Sequence, residues 1–552
     1  MQHTTDHHDV VVLGGGLAGL TLALQLKRKD PAIDVLVIER RDGPAPQATH
    51  KVGESTVEIG AHYFSEVLGL RKHLQEQHLR KFGFRFFFSE GRRDLDQVTE
   101  IGPSRHLSMP SYQIDRGVFE NFLTEQALAC GVRLMSGATV RQVKLTEEPL
   151  KGAQAPHEVT YTHGGQTHTT QARWVVDACG RAGLVKRLLN LAEPNDHACH
   201  AVWFRIKDRL HLDQWSDNPT WRERCTPQTR WLSTNHLVGA GYWVWLIPLS
   251  CGSHSVGIVA DPALHPLDRM NSFDKAMDWL KTYQPLLFDA LDKRRELLQD
   301  FAFFKRFSYG CKQVFSADRW ALTGEAGLFI DPFYSPGSDF IAISNTYITE
   351  LITLDRQGTR LRARASAFDQ VFQSFYEGTL ALYQDQYAIF GDPEVLPVKV
   401  VWDYAYYWGV LAQFFFHDRL TDLSSLAALR SELTHCQQLN RSVQKFLRDW
   451  SAVSHKRNPA VMLDQAEMPW FAELNRSLAD TLDTPAFVAR IKEANARLSR
   501  LAAEIVQRAR ADHPDLPAFD LTPLRRSTEA TRSAASQQPQ TGEGAMLPCA
   551  VA

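Results

Sequence analysis

The chain has 552 residues, of which 44% are hydrophobic and 22% charged, with a formal net charge of −2. That is material for more than one domain of an ordinary globular protein. The near-neutral balance excludes a partner held mainly by charge, so no nucleic acid and no anionic membrane surface is expected.

Eight cysteines stand at 130, 179, 199, 225, 251, 311, 436 and 549, none in a CxxC pair. Neither a zinc site nor a disulfide framework is expected, no metal is assigned, and a reducing cytoplasmic location fits. The opening MQHTTDHHDVVVLGGG has no basic start and no apolar signal core, so no secretory leader is expected.

Val10–Leu13 reads as a short buried strand, followed by Gly14-Gly15-Gly16, a helix from Leu17 to about Arg28, and a second strand in DVLVIE, Asp34–Glu39. The order makes a βαβ unit. Mixed strands and helices run on to about residue 335. Trp174–Ala178 and Trp320–Thr323 read as further buried strands, and Cys199–Lys207, Tyr242–Leu249 and His254–Val259 as a second sheet inserted into the first fold.

From about Gly337 to Arg510 the pattern is almost wholly helical. Residues 400–416 are apolar but carry Asp403 and many aromatics, so they read as a buried or groove-lining helix and no membrane span is expected. The small polar tail from about Arg526 reads as disordered. The expected division is a core over 1–345 with an inserted sheet at about 199–315, a helical C-terminal region over 346–525, and a tail over 526–552.

Gly14-Gly15-Gly16-Leu17-Ala18-Gly19 satisfies GxGxxG in the strand–turn–helix context the motif requires. Gly14 allows the tight turn, Gly16 lets the backbone approach a pyrophosphate, and Gly19 lets helix and strand pack closely. The helix start offers N–H donors and the positive dipole end to phosphates. Glu39 closes the second strand, where a carboxylate can accept both hydroxyls of a ribose. A dinucleotide site is therefore expected.

Three later stretches choose the nucleotide. Gln113-Ile114-Asp115-Arg116 before a helix resembles the segment by which FAD-dependent aromatic hydroxylases hold the pyrophosphate and ribityl chain. Asp177-Ala178-Cys179-Gly180-Arg181 resembles their second dinucleotide contact, and Thr323-Gly324-Glu325-Ala326 their ribityl-binding GDA, with Glu325 in place of Asp. The resemblance implies FAD, with Arg116, Asp177, Gly180 and Glu325 among its contacts.

Two motifs narrow the chemistry. Trp243-Val244-Trp245-Leu246-Ile247-Pro248 is WxWxIP, and Phe329-Ile330-Asp331-Pro332-Phe333-Tyr334-Ser335-Pro336-Gly337 fits FxxPxxSxG. Both resemble the flavin-dependent halogenase family. On a strand, Trp243 and Trp245 share a face. The resemblance makes them a wall that keeps flavin from substrate, and places Phe329, Pro332 and Ser335 against the flavin. Backbone N–H groups at Gly337 and Ser338 open a helix whose positive end suits a halide ion.

Lys51-Val52-Gly53-Glu54-Ser55 resembles the family's V-G-E-S-like loop beside the flavin ring. That implies cofactor contacts for Val52, Gly53, Glu54 and Ser55, with Lys51 peripheral. Lys81-Phe82-Gly83 resembles the K-x-G setting of the catalytic lysine in halogenases of phenols and pyrroles. Tryptophan halogenases carry Glu two positions after the proline of FxxPxxSxG; Tyr334 here points to the phenol and pyrrole type. Trp402 and Tyr406, on one helix face, either line a substrate cavity or belong to the core.

The fold so implied is α/β: an FAD-binding Rossmann-like fold of the aromatic-hydroxylase type, with an inserted mixed β-sheet on the substrate side and a helical C-terminal part. The function implied is halogenation. Reduced FAD from a separate flavin reductase, O2 and chloride or bromide make hypohalous acid, which Lys81 delivers to a small aromatic, free or tethered to a carrier protein. Two alternatives stay open: an FAD-dependent aromatic hydroxylase, and a non-catalytic flavin-binding interaction protein.

Overall fold

The computed structural model describes residues 6–47, 51–146 and 156–517. The expected disordered tail lies outside them. The chain divides into two compact units at points other than the expected boundary at 345. One comprises Met1–Leu79, Tyr112–Asp196 and Phe307–Ser374; the other comprises Arg80–Ser111, His197–Arg306 and Phe375–Ala552.

The first unit is built on a seven-stranded sheet. Arg133–Met135, Val35–Ile38, His7–Leu13 and the end of Gln166–Asp177 run parallel, with Trp320–Leu322 added beside Val175–Asp177. Val10, Val11, Val12 and Leu13 are all 0% exposed. This is why the strand reads as an unbroken apolar run: a parallel strand is covered on both faces. The first half of Gln166–Asp177 pairs antiparallel with His157–His163, which pairs with Thr139–Lys144. Helices Leu17–Lys29, Arg116–Ala129 and Gly337–Arg356 belong to this unit.

The second unit is built on an eight-stranded sheet, in the order Leu298–Phe304, His200–Ile206, His254–Ala260, Tyr242–Pro248, Thr234–Gly239, Phe84–Phe87, Glu100–Gly102 and Met462–Asp464. The expected substrate-side strands are present in it, but the sheet also takes in Phe84–Phe87 and Glu100–Gly102. Met462–Asp464, in a stretch expected to be almost wholly helical, pairs parallel with Glu100–Gly102.

One face of this sheet packs Phe87, Leu237, Val244, Leu246, Val256 and Ile258 against Met277 and Leu280 of helix Phe273–Tyr283. The opposite face is aromatic. The register sets Phe86 beside His236, His236 beside Trp245, and Trp245 beside Gly257. Residues 400–416 are helical throughout: Val395–Tyr406, a π turn at Tyr407–Leu411, then Ala412–Phe416. Among the described residues no helix is long and apolar enough to cross a membrane.

Candidate functional site

The first unit carries the nucleotide motif in working order. Gly14 has φ +107°, and a Cβ there would stand 2.6 Å from the Ala178 carbonyl oxygen. At Gly19 a Cβ would stand 2.0 Å from the Gly14 oxygen, so helix and turn meet only because both are glycine. Gly16 differs: a Cβ there meets nothing within 4 Å. Gly16, at the N-cap of helix Leu17–Lys29, offers no side-chain cap to the first N–H groups of the helix. The Glu39 carboxylate accepts from Gly15 N–H at 2.6 Å and Arg41 N–H at 2.7 Å, which fixes it beside the glycine turn. Space beside Gly16, uncapped donors and an oriented acid fit a dinucleotide.

The KVGES loop is tied down by a residue no motif marks. Glu120, fully buried, pairs with Lys51, with Arg116 at 2.7 Å and with Arg41 at 3.5 Å. Burial alone would push its carboxyl up; the Arg116 and Lys51 charges outweigh burial and hold it below the usual range. Arg116 also donates to the Val52 carbonyl at 2.6 Å. Gly53, at φ +85°, lies so close that a Cβ would stand 2.8 Å from the Arg116 Nη1. Glu54 accepts from Ile114 N–H at 2.6 Å through its carbonyl, and Ser55 bridges to Gln113. Lys51 is thus an anchor of the loop, and the loop lies along the residues before Arg116. The spacing of Arg116 and Glu120, one helical turn, was the available signal.

Asp177 is buried and turned into its own loop, accepting from Cys179 N–H at 3.0 Å and Val185 N–H at 2.8 Å. It shapes the turn that presents Gly180, where φ is +58° and a Cβ would meet nothing within 4 Å. Glu325 pairs with Arg181 at 3.2 Å, and its carbonyl accepts from the Tyr309 hydroxyl at 2.7 Å. The two segments expected to meet the flavin therefore meet each other.

In FxxPxxSxG, Phe329 pairs in an isolated bridge with Tyr309, and the Pro332 carbonyl accepts from Ser335 N–H at 2.9 Å. Ser335 takes φ +52°, turning the chain into helix Gly337–Arg356. A Cβ at Gly337 would meet nothing within 4 Å. The Ser338 Oγ is buried with no hydrogen-bond partner among the described residues. Asp339, in the same first turn, accepts Gly60 N–H at 2.8 Å.

The second unit holds Lys81, Trp243, Trp245 and Pro248. Lys81 is 3% exposed, and its Nζ lies 3.3 Å from the centroid of the Phe84 ring. Phe84 lies 5.5 Å from His236, which stacks on Phe86 at 4.6 Å and neighbours Trp243 at 5.3 Å. Trp243 and Trp245 share a face, as strand geometry requires, with centroids 5.7 Å apart.

Both indoles are fixed. Trp243 Nε1 donates to the Tyr387 hydroxyl at 3.0 Å and Trp245 Nε1 to Ser255 Oγ at 3.1 Å. The Trp245 ring lies over Gly257, where a Cβ would fall 2.2 Å from it. Pro248 ends the strand, buried opposite His254. Of the helical aromatics, Tyr404 faces Phe84 at 6.2 Å. Trp402, which donates to Asn440 at 2.9 Å, and Tyr406, beside Gly378, pack among helices instead.

A family model described as tryptophan halogenase matches residues 90–389, and one described as an NAD(P)-binding Rossmann-like domain matches residues 12–76. A flavin-dependent halogenase of Dictyostelium discoideum is 27% identical over 435 residues, covering 74% of this chain and 70% of that one. A 1H-pyrrole-2-carbonyl-[peptidyl-carrier protein] chlorinase of Pseudomonas fluorescens is 28% identical over 358 residues, covering 60% and 73%. Among solved structures, the halogenase PltM in complex with phloroglucinol and FAD aligns with TM-score 0.63 at 17% identity, covering 90% of this chain and 96% of that one. The flavin-dependent brominase Bmp2 aligns with TM-score 0.54 at 20% identity, covering 70% and 89%. These likenesses carry the fold.

Proposed function

The chain belongs to the tryptophan halogenase family, and from that premise we propose that it is an FAD-dependent halogenase of electron-rich phenols or pyrroles, with Lys81 as its catalytic residue. The observation that carries the reading is the Lys81 ammonium seated on an aromatic face that also bears Trp243 and Trp245.

When bound in its reduced form, FAD supplies the two electrons with which O2 oxidises chloride or bromide to hypohalous acid. The residues that would hold it are the Gly14–Gly19 turn, Glu39, the Val52–Ser55 loop, Arg116, and the turns of Asp177, Gly180 and Glu325. Phe329, Pro332 and Ser335 shape the segment leading to the halide. The start of helix Gly337–Arg356, with the buried Ser338 hydroxyl, is the proposed halide position.

Lys81 does the selective work. The face of Phe84, 3.3 Å from Nζ, is the π surface on which an ammonium at Lys81 would rest. The reading therefore takes Lys81 as a hydrogen-bond donor to the oxygen of hypohalous acid rather than as a haloamine. As a ring carbon takes the halogen, the halogen–oxygen bond breaks and Lys81 protonates the departing hydroxide to water. The ring then passes its own proton to the Lys81 amine, which restores the ammonium, and regains aromaticity. Trp243 and Trp245 form the apolar wall of the passage to Lys81 and exclude bulk water.

A separate flavin reductase is the proposed source of reduced FAD. The name of the pyrrole-carrier chlorinase supports a carrier-tethered substrate as one form the aromatic takes. The seven described cysteines are all free thiols, which supports a reducing, cytoplasmic place of action. The test is the full chain with reduced FAD, O2, bromide and a panel of phenols, indoles and pyrroles, read by mass spectrometry. A brominated product is expected; a product that gains only oxygen would favour the hydroxylase.

A further inference from the structure

The backbone around Lys81 is fastened residue by residue. Lys81 N–H donates to the Ser111 carbonyl at 2.8 Å, Phe82 N–H to the Leu232 carbonyl at 3.0 Å, and Thr234 N–H to the Gly83 carbonyl at 3.1 Å. The Phe82 carbonyl accepts from the Ser233 hydroxyl at 2.9 Å. The Ser233 Oγ in turn faces Arg85 Nε at 3.5 Å.

Arg85 belongs to a charged cluster in which Arg85, Glu100 and Arg230 are each 0% exposed. Arg85 lies on the sheet face opposite Phe84, because the two are adjacent on one strand. It donates to the Glu100 carboxylate and the Pro103 carbonyl. Arg230 donates to Glu100 at 2.8 Å, to Asp213 at 3.2 Å and to the Trp221 carbonyl at 2.7 Å, and its guanidinium lies 4.0 Å from the centroid of the Trp221 ring. Gly102 makes the room: a Cβ there would stand 3.0 Å from the Arg85 guanidinium carbon.

Two arginines and two carboxylates balance in charge. A buried cluster of this kind is still an inefficient source of stability, since desolvation cancels much of the attraction and apolar replacements often do as well. What it supplies is position. Its donors end on the Glu100 and Asp213 carboxylates and the Pro103 and Trp221 carbonyls, and Ser233, which meets Arg85 on one side and the Phe82 carbonyl on the other, links the cluster to the backbone next to Lys81.

We propose that Ser233, backed by Arg85, Glu100 and Arg230, is a positioning residue for Lys81: it holds the backbone that aims the ammonium, and so sets how much hypohalous acid reaches the substrate rather than escaping. The inference rests on the role given to Lys81 above.

The experiment uses the full chain with reduced FAD, O2, bromide and whichever panel member the wild type brominates best. It records brominated product per flavin oxidised, and free hypobromous acid trapped by monochlorodimedone. In Ser233→Ala, FAD affinity and flavin oxidation stay at wild-type values. Product per flavin falls about three- to tenfold, the range expected for one lost hydrogen bond, and trapped hypobromous acid rises in step. Ser233→Thr, which keeps the hydroxyl, restores the coupling, a rescue that a purely structural defect would not show.

Wild-type coupling in Ser233→Ala overturns the proposal, as does a loss that Ser233→Thr fails to rescue or that flavin oxidation shares equally. If Ser233→Ala does not fold, Ser233→Cys carries the same test, with partial uncoupling expected and full coupling contradictory. Lys81→Ala separates the two levels. If it brominates like wild type, the role of Lys81 falls. If it is silent while Ser233→Ala is fully coupled, only the present inference falls.

Discussion

The Nζ of Lys81 lies 3.3 Å from the centroid of the Phe84 ring, across a turn in which Gly83 takes φ +70°. A Cβ at Gly83 would stand 3.0 Å from the ring of Pro103, so the turn is closed from the far side as well. The ammonium is thereby set on a ring face. Phe84→Leu keeps an apolar side chain and removes that face. A buried cation–π contact is worth about 1–2 kcal/mol, so halogenation should slow roughly 5- to 30-fold while FAD affinity holds. Product formation under saturating reduced FAD checks this; an unchanged rate would show that the ring face does not matter to Lys81.

Gly16 and Gly19 separate ligand from fold. Gly16→Val places its side chain where the protein leaves space, so the chain should fold, stay soluble and lose FAD. Gly19→Ala drives a methyl into the Gly14 oxygen and should destabilise the chain itself. Fluorescence titration with FAD and a thermal melt distinguish the two. Unchanged FAD affinity in Gly16→Val would contradict the nucleotide assignment.

Glu120→Gln has two opposing effects. Removing a negative charge favours a nearby pyrophosphate by no more than about 1 kcal/mol in a partly solvated setting. Removing a buried carboxylate from its cations costs about 3–5 kcal/mol, and here frees Lys51 and Arg116, the two cations that anchor the KVGES loop. The second effect is the larger. FAD should bind about tenfold or more weakly, with the second unit unaffected. Calorimetric titration checks this; tighter binding would show that Glu120 acts only through its charge.

The glycine motif, WxWxIP and FxxPxxSxG were legible because each is a short run whose residues act within one turn or one strand. Glu120 was less so, since Lys51 meets it from a distant part of the chain. Arg85, Glu100, Arg230 and Ser233 carry no local pattern: their meaning appears only when Thr234–Gly239 pairs with Phe84–Phe87. The same holds for Met462–Asp464, a three-residue strand too short to show a period of two. The helix face shared by Trp402 and Tyr406 was read from spacing. Spacing says which residues share a face and not what the face meets, and Tyr404 is the residue opposite Phe84.

His78 and His254 make the fold acid-sensitive. Burial lowers both, each to about 3. His78 accepts Asp115 N–H at 3.2 Å and His254 accepts Leu210 N–H at 3.2 Å, contacts that need a neutral ring. Their folded values lie below the unfolded value of about 6.5, so the unfolded chain binds more protons in acid. Their contribution is present above pH 6.5 and is lost as pH falls from there toward 3, by up to about 1.4 kcal/mol per pH unit for each. Urea unfolding at pH 7.5, 6 and 5 should show the midpoint falling. A midpoint that rises or stays level would contradict the neutral assignment.

The most direct test of the account is single-turnover flavin oxidation in bromide buffer, with the product followed by mass spectrometry, for wild type, Lys81→Ala and Lys81→Arg. Lys81 belongs to the second unit and the nucleotide motif to the first, so FAD binding and flavin oxidation should match wild type. Lys81→Ala loses the donor. Lys81→Arg keeps the charge but spreads it over a planar fork that cannot take the ammonium's place. The account predicts that both variants oxidise flavin and yield no brominated product. Bromination by Lys81→Ala at the wild-type rate and position would contradict it.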